Sequence, residues 1–213
     1  AECARRGVDV RVGEAATAES VLALAPDAVI VATGGRATID GASKYHPFPI
    51  PGAAQEFVLD HETALREASR ITGRTVILDA VGHIEGIALA ELLATAGRDV
   101  TVVTPFPAAI ELDAETQAAA MRRAIQAGVT WRPNNVIAAI GDHTVTLVEV
   151  FTGEHQMLAD VATVVIRTHG VPEDALYHAL REAGPEVLRA GDAVAVRLAD
   201  RAIFDGHIAG RKV

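Results

Sequence analysis

The stretch from residue 74 to residue 104 constrains this chain more than any other part of it. Residues 74–80 (RTVILDA) form an apolar run of strand length. A turn containing Gly82 and Gly86 follows, and then IALAELLATA at 87–96. In that segment Ile87, Leu89, Leu92, Leu93 and Ala96 recur at helical spacing, and Gly97 closes the helix. DVTVVT at 99–104 is a second apolar strand. Strand, helix and strand within about 30 residues make a β-α-β unit, whose two strands run parallel with a right-handed crossover. Parallel sheets are covered on both faces. A composition that is 50% hydrophobic but only 4% aromatic supplies the aliphatic side chains for such packing.

The rest of the chain extends this unit into an α/β fold. Residues 8–12 (VDVRV) alternate and predict a short strand, and 17–25 predict a brief helix started by Thr17 or Ser20. DAVIVATGG at 27–35 is an apolar strand running into a small-residue turn. Residues 36–56, with YHPFPIPG, predict an irregular connection, because its prolines exclude regular structure. A short helix is expected at 61–69, and a longer one at 114–127 with Asp113 as N-cap. Short strands are expected at 129–132, 135–140, 144–150, 156–158 and 161–167, a β-meander crossing the parallel unit. A strand at 186–189 and a helix from about 198 complete the pattern. The opening AECARRG reads as the end of a helix closed by Gly7, which suggests a chain that starts inside a domain.

In a dinucleotide-binding β-α-β unit, a Gly-x-Gly-x-x-Gly turn lets the backbone approach a pyrophosphate seated on the helix N-terminus. AELLATAG at 90–97 matches the usual continuation of that helix and fixes the fingerprint window as VGHIEG, residues 81–86. Only Gly86 fits; Val81 and His83 stand at the first two glycine positions, with Gly82 between them. A Cβ and an imidazole at 83 would fill the space a pyrophosphate needs. Thr104 ends the second strand where NAD binders usually carry an acid for the ribose. NAD(P) is therefore not expected to bind here in the ordinary way. Asp79, near the strand end, is placed either to bind a ligand hydroxyl or to cap the following helix, and capping is the expectation.

Two further motifs frame the unit. Thr33, Gly34 and Gly35 end one strand, and Gly191 and Asp192 precede the last helix. Glycine permits close backbone approach, and an aspartate at such a turn accepts hydrogen bonds from ribitol or ribose hydroxyls. With these motifs in place, the chain resembles the carboxy-terminal region of the trimethylamine dehydrogenase and 2,4-dienoyl-CoA reductase group of flavoproteins. The likeness runs through GVDVRVG, APDAVIVATGG, AELLATAG, DALYHAL at 174–180 and GDAVAVRLADRAIFDGH. VGHIEG is similar to the trimethylamine dehydrogenase side. The resemblance implies a Rossmann-like three-layer FAD/NAD(P)-binding fold with the first domain incomplete: a partial FAD- or ADP-binding domain at 1–56 and 169–213, and an inserted NAD(P)-binding-like domain at 57–168. It also implies a longer protein with an FMN barrel and an iron–sulfur cluster, both absent from these 213 residues. Thr33, Gly34, Gly35, Gly191 and Asp192, with Gly82, His83 and Gly86, are the candidate cofactor-binding residues. FAD or ADP is the expected cofactor of the full-length protein, held weakly or not at all by this chain alone.

A net charge of −9 argues against nucleic acid or an anionic membrane as partner, and no apolar run reaches the ~18 residues of a membrane span. A cytoplasmic location and a homo-oligomer joined near 8–12 and 27–32 are expected. No HExxH, no metal-spaced His/Cys pair and no G-x-S-x-G elbow occurs. His143 and His155 read as turn residues, and Trp131 and Tyr177 as packing residues. The alternatives are a structural or dimerisation module with vestigial nucleotide sites, and an NAD(P)H-dependent flavin reductase.

Overall fold

The computed structural model describes residues 2–213. They divide into two compact units: the residues up to Gly35 with Pro172–Val213, and Arg36–Val171.

The second unit is built on a five-stranded sheet, parallel throughout, in the order Val58–Asp60, Val161–Arg167, Arg74–Asp79, Asp99–Val103, Thr130–Arg132. Alternate residues of each strand face opposite sides. Ile77, Val100, Val102 and Val165 pack on Ile87, Leu89, Ala90 and Leu93 of the helix Ile84–Thr95 and on Ala120 and Ala124 of the helix Ala114–Gln126. Asp113 caps the latter by accepting the N–H of Thr116 at 2.9 Å. Their neighbours Val76, Leu78, Val103, Val164 and Ile166 face the other way, onto Ile137, Ile140, Val145, Leu147 and Leu158. Those five belong to an antiparallel meander, Asn135–Gly141, Thr144–Glu149 and His155–Leu158. Helices, parallel sheet and meander are thus the three layers. Of the five short strands anticipated after residue 128, three form the meander. The first and last join the parallel sheet, and the last, Val161–Arg167, is buried at six of its seven positions.

Residues 36–56 are irregular, as their prolines require. They pack in the second unit, whereas the sequence reading assigned them to the first domain with boundaries at 56/57 and 168/169. Ile50 and Ala53 are buried among the meander side chains, and Pro51 accepts the N–H of Ile140 at 2.8 Å. Proline and glycine content marks a segment as irregular but carries no information about which core its few apolar residues enter.

The first unit is slighter. The strands Ala28–Val31 and Glu186–Arg189 pair in parallel, Val31 opposite Arg189. Around them lie the helices Glu2–Arg5, Ala18–Leu22, Ala175–Leu180 and Ala199–Gly210. Thr17 and Ser20 cap the second of these reciprocally. The unit's core cluster consists of buried Val31, Leu180 and Ala193, joined by half-buried Val29, Leu176, Tyr177 and Val187. The strand expected at 8–12 is absent: the segment is unpaired, with Val8, Val10 and Val12 exposed. Alternation prepares a strand, but a neighbour must supply the ladder, and none of the described residues does.

Ile77 is fully buried at the centre of the second unit. Ile77→Ala is expected to cost about 2–5 kcal/mol in urea unfolding. Asp113→Ala, which removes only a cap, should cost about 1 kcal/mol.

Candidate functional site

In the first unit the structure brings two of the predicted motifs together. Thr33, Gly34 and Gly35 follow the strand Ala28–Val31, and Gly191 and Asp192 follow its parallel neighbour Glu186–Arg189. Both groups leave the carboxyl ends of adjacent parallel strands, the edge at which open α/β sheets hold ligands. The N–H of Ala190 donates to the Val31 carbonyl at 3.0 Å, carrying the pairing one residue further. The Thr33 hydroxyl donates to the Glu173 carbonyl, and the Glu173 N–H donates to the Gly34 carbonyl at 3.0 Å. Gly34, at φ +84°, turns the backbone in the left-handed region that favours glycine. Gly191 lies close to the last helix: a Cβ there would stand 3.3 Å from the Cβ of Ala202. Asp192 is half-buried, and one of its oxygens accepts the N–H of Arg197 at 3.0 Å. It therefore ties the turn, while Leu198 stands at the N-cap of the helix Ala199–Gly210 without a side-chain capping bond. A shallow hollow beside Thr33 is lined by small residues, among them Ala16, Ala18, Ala175 and Ala179.

The remaining predicted residues, Gly82, His83 and Gly86, lie in the second unit, at the carboxyl end of its central strand. Asp79 is 1% exposed there. Its Oδ1 accepts the N–H groups of Val81 at 3.1 Å and Gly82 at 2.8 Å. Asp79 thus binds the turn and not the helix end, which corrects the capping role expected for it; the N-cap is His83, with no side-chain capping bond. The difference follows from distance along the chain, since a residue four before the N-cap meets the turn first. Gly86 presses on the same carboxyl group, and a Cβ at this position would lie 2.4 Å from Asp79 Oδ2. Gly82 has φ +78°, with Phe106 over it. Thr104 is buried, and its hydroxyl donates to the Phe106 carbonyl.

Sequence reasoning missed the charged residues that converge on this edge. Arg167, 9% exposed, ends the strand beside Asp79. Its guanidinium donates to the Thr168 carbonyl at 2.6 Å and lies 3.5 Å from Glu85, whose other oxygen is 3.2 Å from His83 Nδ1. His61 follows the neighbouring strand Val58–Asp60. The one available signal was a lone arginine closing the apolar run VATVVIR. Burial pushes the Asp79 carboxyl up, against the hydrogen bonds from Gly82 and Val81 and the charge of Arg167. Burial opposes ionisation of Glu85 as well, but its hydrogen bonds and Arg167 hold it below the usual range. Burial, and then the nearby Arg167 charge, holds His61 down. No group of three or more His, Cys, Asp or Glu side chains able to hold a metal occurs among the described residues. No helix among them is long and apolar enough to cross a membrane.

The lowered His61 value has a consequence for stability. A histidine held below its ordinary value of 6.5 contributes stability that is present above 6.5 and lost as the pH falls through the folded value. Urea midpoints should therefore fall between pH 7.5 and 5, and His61→Asn should flatten that slope. An unchanged slope in the variant would contradict this account of His61.

Residues 4–196 match the family described as pyridine nucleotide-disulphide oxidoreductase. The chain is 26% identical to dimethylamine dehydrogenase of Hyphomicrobium sp. (strain x), over 92% of its own length and 31% of the relative's. It is 30% identical to bilirubin reductase of Mediterraneibacter gnavus (strain CC55_001C), over 95% of its own length and 30% of the relative's. Among solved structures, the 6-hydroxypseudooxynicotine amine oxidase of Pseudomonas geniculata N1 superposes with a TM-score of 0.89 at 28% identity, covering 95% of this chain and 31% of that one. The chain thus spans about a third of the length of these relatives. Its single cysteine, Cys3, gives it no disulphide of its own. On fold and sequence together, the chain belongs to the pyridine nucleotide-disulphide oxidoreductase family, as an α/β nucleotide-binding region that resembles part of the amine dehydrogenases.

Proposed function

We propose that this chain is the nucleotide-binding region of a flavin-dependent oxidoreductase of the amine dehydrogenase or enoyl reductase kind, and that it carries no bond-making catalytic residue. The observation that supports this most is the convergence of Thr33, Gly34 and Gly35 with Gly191 and Asp192 at the carboxyl ends of two paired parallel strands. Backbone at Gly34 and Gly191 can approach a ligand closely, and the half-buried Asp192 has acceptor capacity for ribitol or ribose hydroxyls. The first unit would take the FAD or ADP of a longer protein whose substrate site lies in other segments, such as an FMN barrel. The second unit, at Gly82, His83 and Gly86, does not serve as an ordinary NAD(P) site in this reading.

The fit to FAD is partial. No Gly-x-Gly-x-x-Gly turn occurs in the first unit's sequence, so the pyrophosphate lacks its usual backbone donors here. Isothermal titration of the chain with FAD is expected to give a dissociation constant weaker than micromolar, a scale worth about −8 kcal/mol. Micromolar or tighter binding would overturn the partial-site reading.

The exposed apolar residues of the first unit favour a second reading, an association module. Ile30 on the edge strand is 37% exposed, and Val8, Val10 and Val12 stand in solvent. An unpaired strand edge recruits another chain. Light scattering over a range of concentrations should give a mass above 22.3 kDa. A concentration-independent value equal to the chain mass would remove this reading.

A further inference from the structure

The turn after the central strand of the second unit has the donors of an anion site, and the carboxylate of Asp79 occupies two of them. Three backbone N–H groups of this turn, those of Ala80, Val81 and Gly82, already have acceptors. Ala80 donates to the Arg167 carbonyl at 2.9 Å. Val81 and Gly82 donate to Asp79 Oδ1. In a turn that takes a phosphate, donors of this kind face the ligand.

Glu85 is the exposed member of the arrangement. It stands in the first turn of the helix Ile84–Thr95, where a negative charge is favoured by the helix dipole. Arg167 lies 3.5 Å away as its counter-ion, and His83 Nδ1 lies 3.2 Å from its other oxygen. The cationic side of the cluster is not used up. Arg167 is nine-tenths buried, and its Nε has no hydrogen-bond partner in the protein. Nor has His61 Nδ1, at the start of the helix His61–Arg66. A buried guanidinium donor such as Arg167 Nε is expected to find an acceptor.

From this geometry we infer that Glu85 is a specificity-determining residue: its carboxylate, with Asp79 beneath it, stands in for a ligand phosphate and makes this crevice reject the pyrophosphate of a nucleotide. Rejection is then electrostatic as well as steric. An incoming pyrophosphate meets a carboxylate of the same sign, and two of the turn's donors are engaged by Asp79. The inference rests on the reading that the second unit is not an NAD(P) site, and it names the residue responsible. Removal of the Glu85 charge, with the side-chain shape kept, leaves Arg167 and the helix N-terminus without their negative partner and takes away the like charge that an incoming anion meets.

The test is isothermal titration of the 213-residue chain with inorganic pyrophosphate and, separately, with NADH. The wild type and the Val81→Gly/His83→Gly variant should show no pyrophosphate binding at millimolar concentration. Glu85→Gln should show pyrophosphate binding that saturates below millimolar concentration, and Glu85→Gln/Arg167→Met should lose that gain. Glu85→Gln with an unchanged melting curve and no gain overturns the inference. So does strong binding in Val81→Gly/His83→Gly alone, which would make the barrier purely steric. Should Glu85→Gln fail to fold, Glu85→Ser carries the same expectation and the same refutation. Low-micromolar NADH binding by the wild type would instead defeat the reading of the second unit on which the inference rests, and so the two failures are distinguishable.

Discussion

The constraint on which the second unit depends is the two-sided burial of an all-parallel sheet. Five strands without an antiparallel partner cannot leave a face in water, so every second residue of the Arg74–Asp79 strand demands a cover of its own. Ile77 receives two helices and Val76 and Leu78 receive the meander. The irregular 36–56 segment is drawn into the same task through Ile50 and Ala53. Once both faces are closed, only small threonines remain polar within the strands, and the buried charged groups of the unit are left at the strand ends. That is where Asp79, His83, Glu85, Arg167 and His61 gather.

Most of the architecture was legible because it rests on periodicity and caps. The β-α-β unit, Asp113 as N-cap, the meander and the last helix lie within a few residues of where spacing put them. The failures have physical causes. The strand expected at 8–12 has the right alternation but no neighbour to complete its ladder. The 36–56 segment is a different matter: Ile50 and Ala53 are buried with the meander of the second unit, and no local pattern announces that.

The candidate site was legible in parts. Glycine and aspartate at strand ends announced themselves as punctuation, and the pairing of 28–31 with 186–189 brings two such punctuation marks side by side. The Glu85–Arg167 contact was not visible, because the partners are more than 80 residues apart and each looks ordinary alone. Asp79 was noticed but given the wrong task. Its burial beneath Gly86 is a three-dimensional fact with no local signature.

The parallel pair of the first unit has a bearing on how the chain reaches its native state. Its two strands are separated by roughly 160 residues, among the longest sequence separations in the chain. Closing so long a loop in a disordered polymer is entropically costly and slow. The second unit shortens it: near its entry and exit, the hydroxyls of Thr38 and Thr168 lie 3.1 Å apart. Once that unit has condensed, the flanking segments emerge side by side, and the distant strands become neighbours across a short effective gap. Loop closure on this pattern favours condensation of the large inserted core before the pairing of the outer strands, so a lesion in the middle of the chain would be expected to delay the assembly of both its ends.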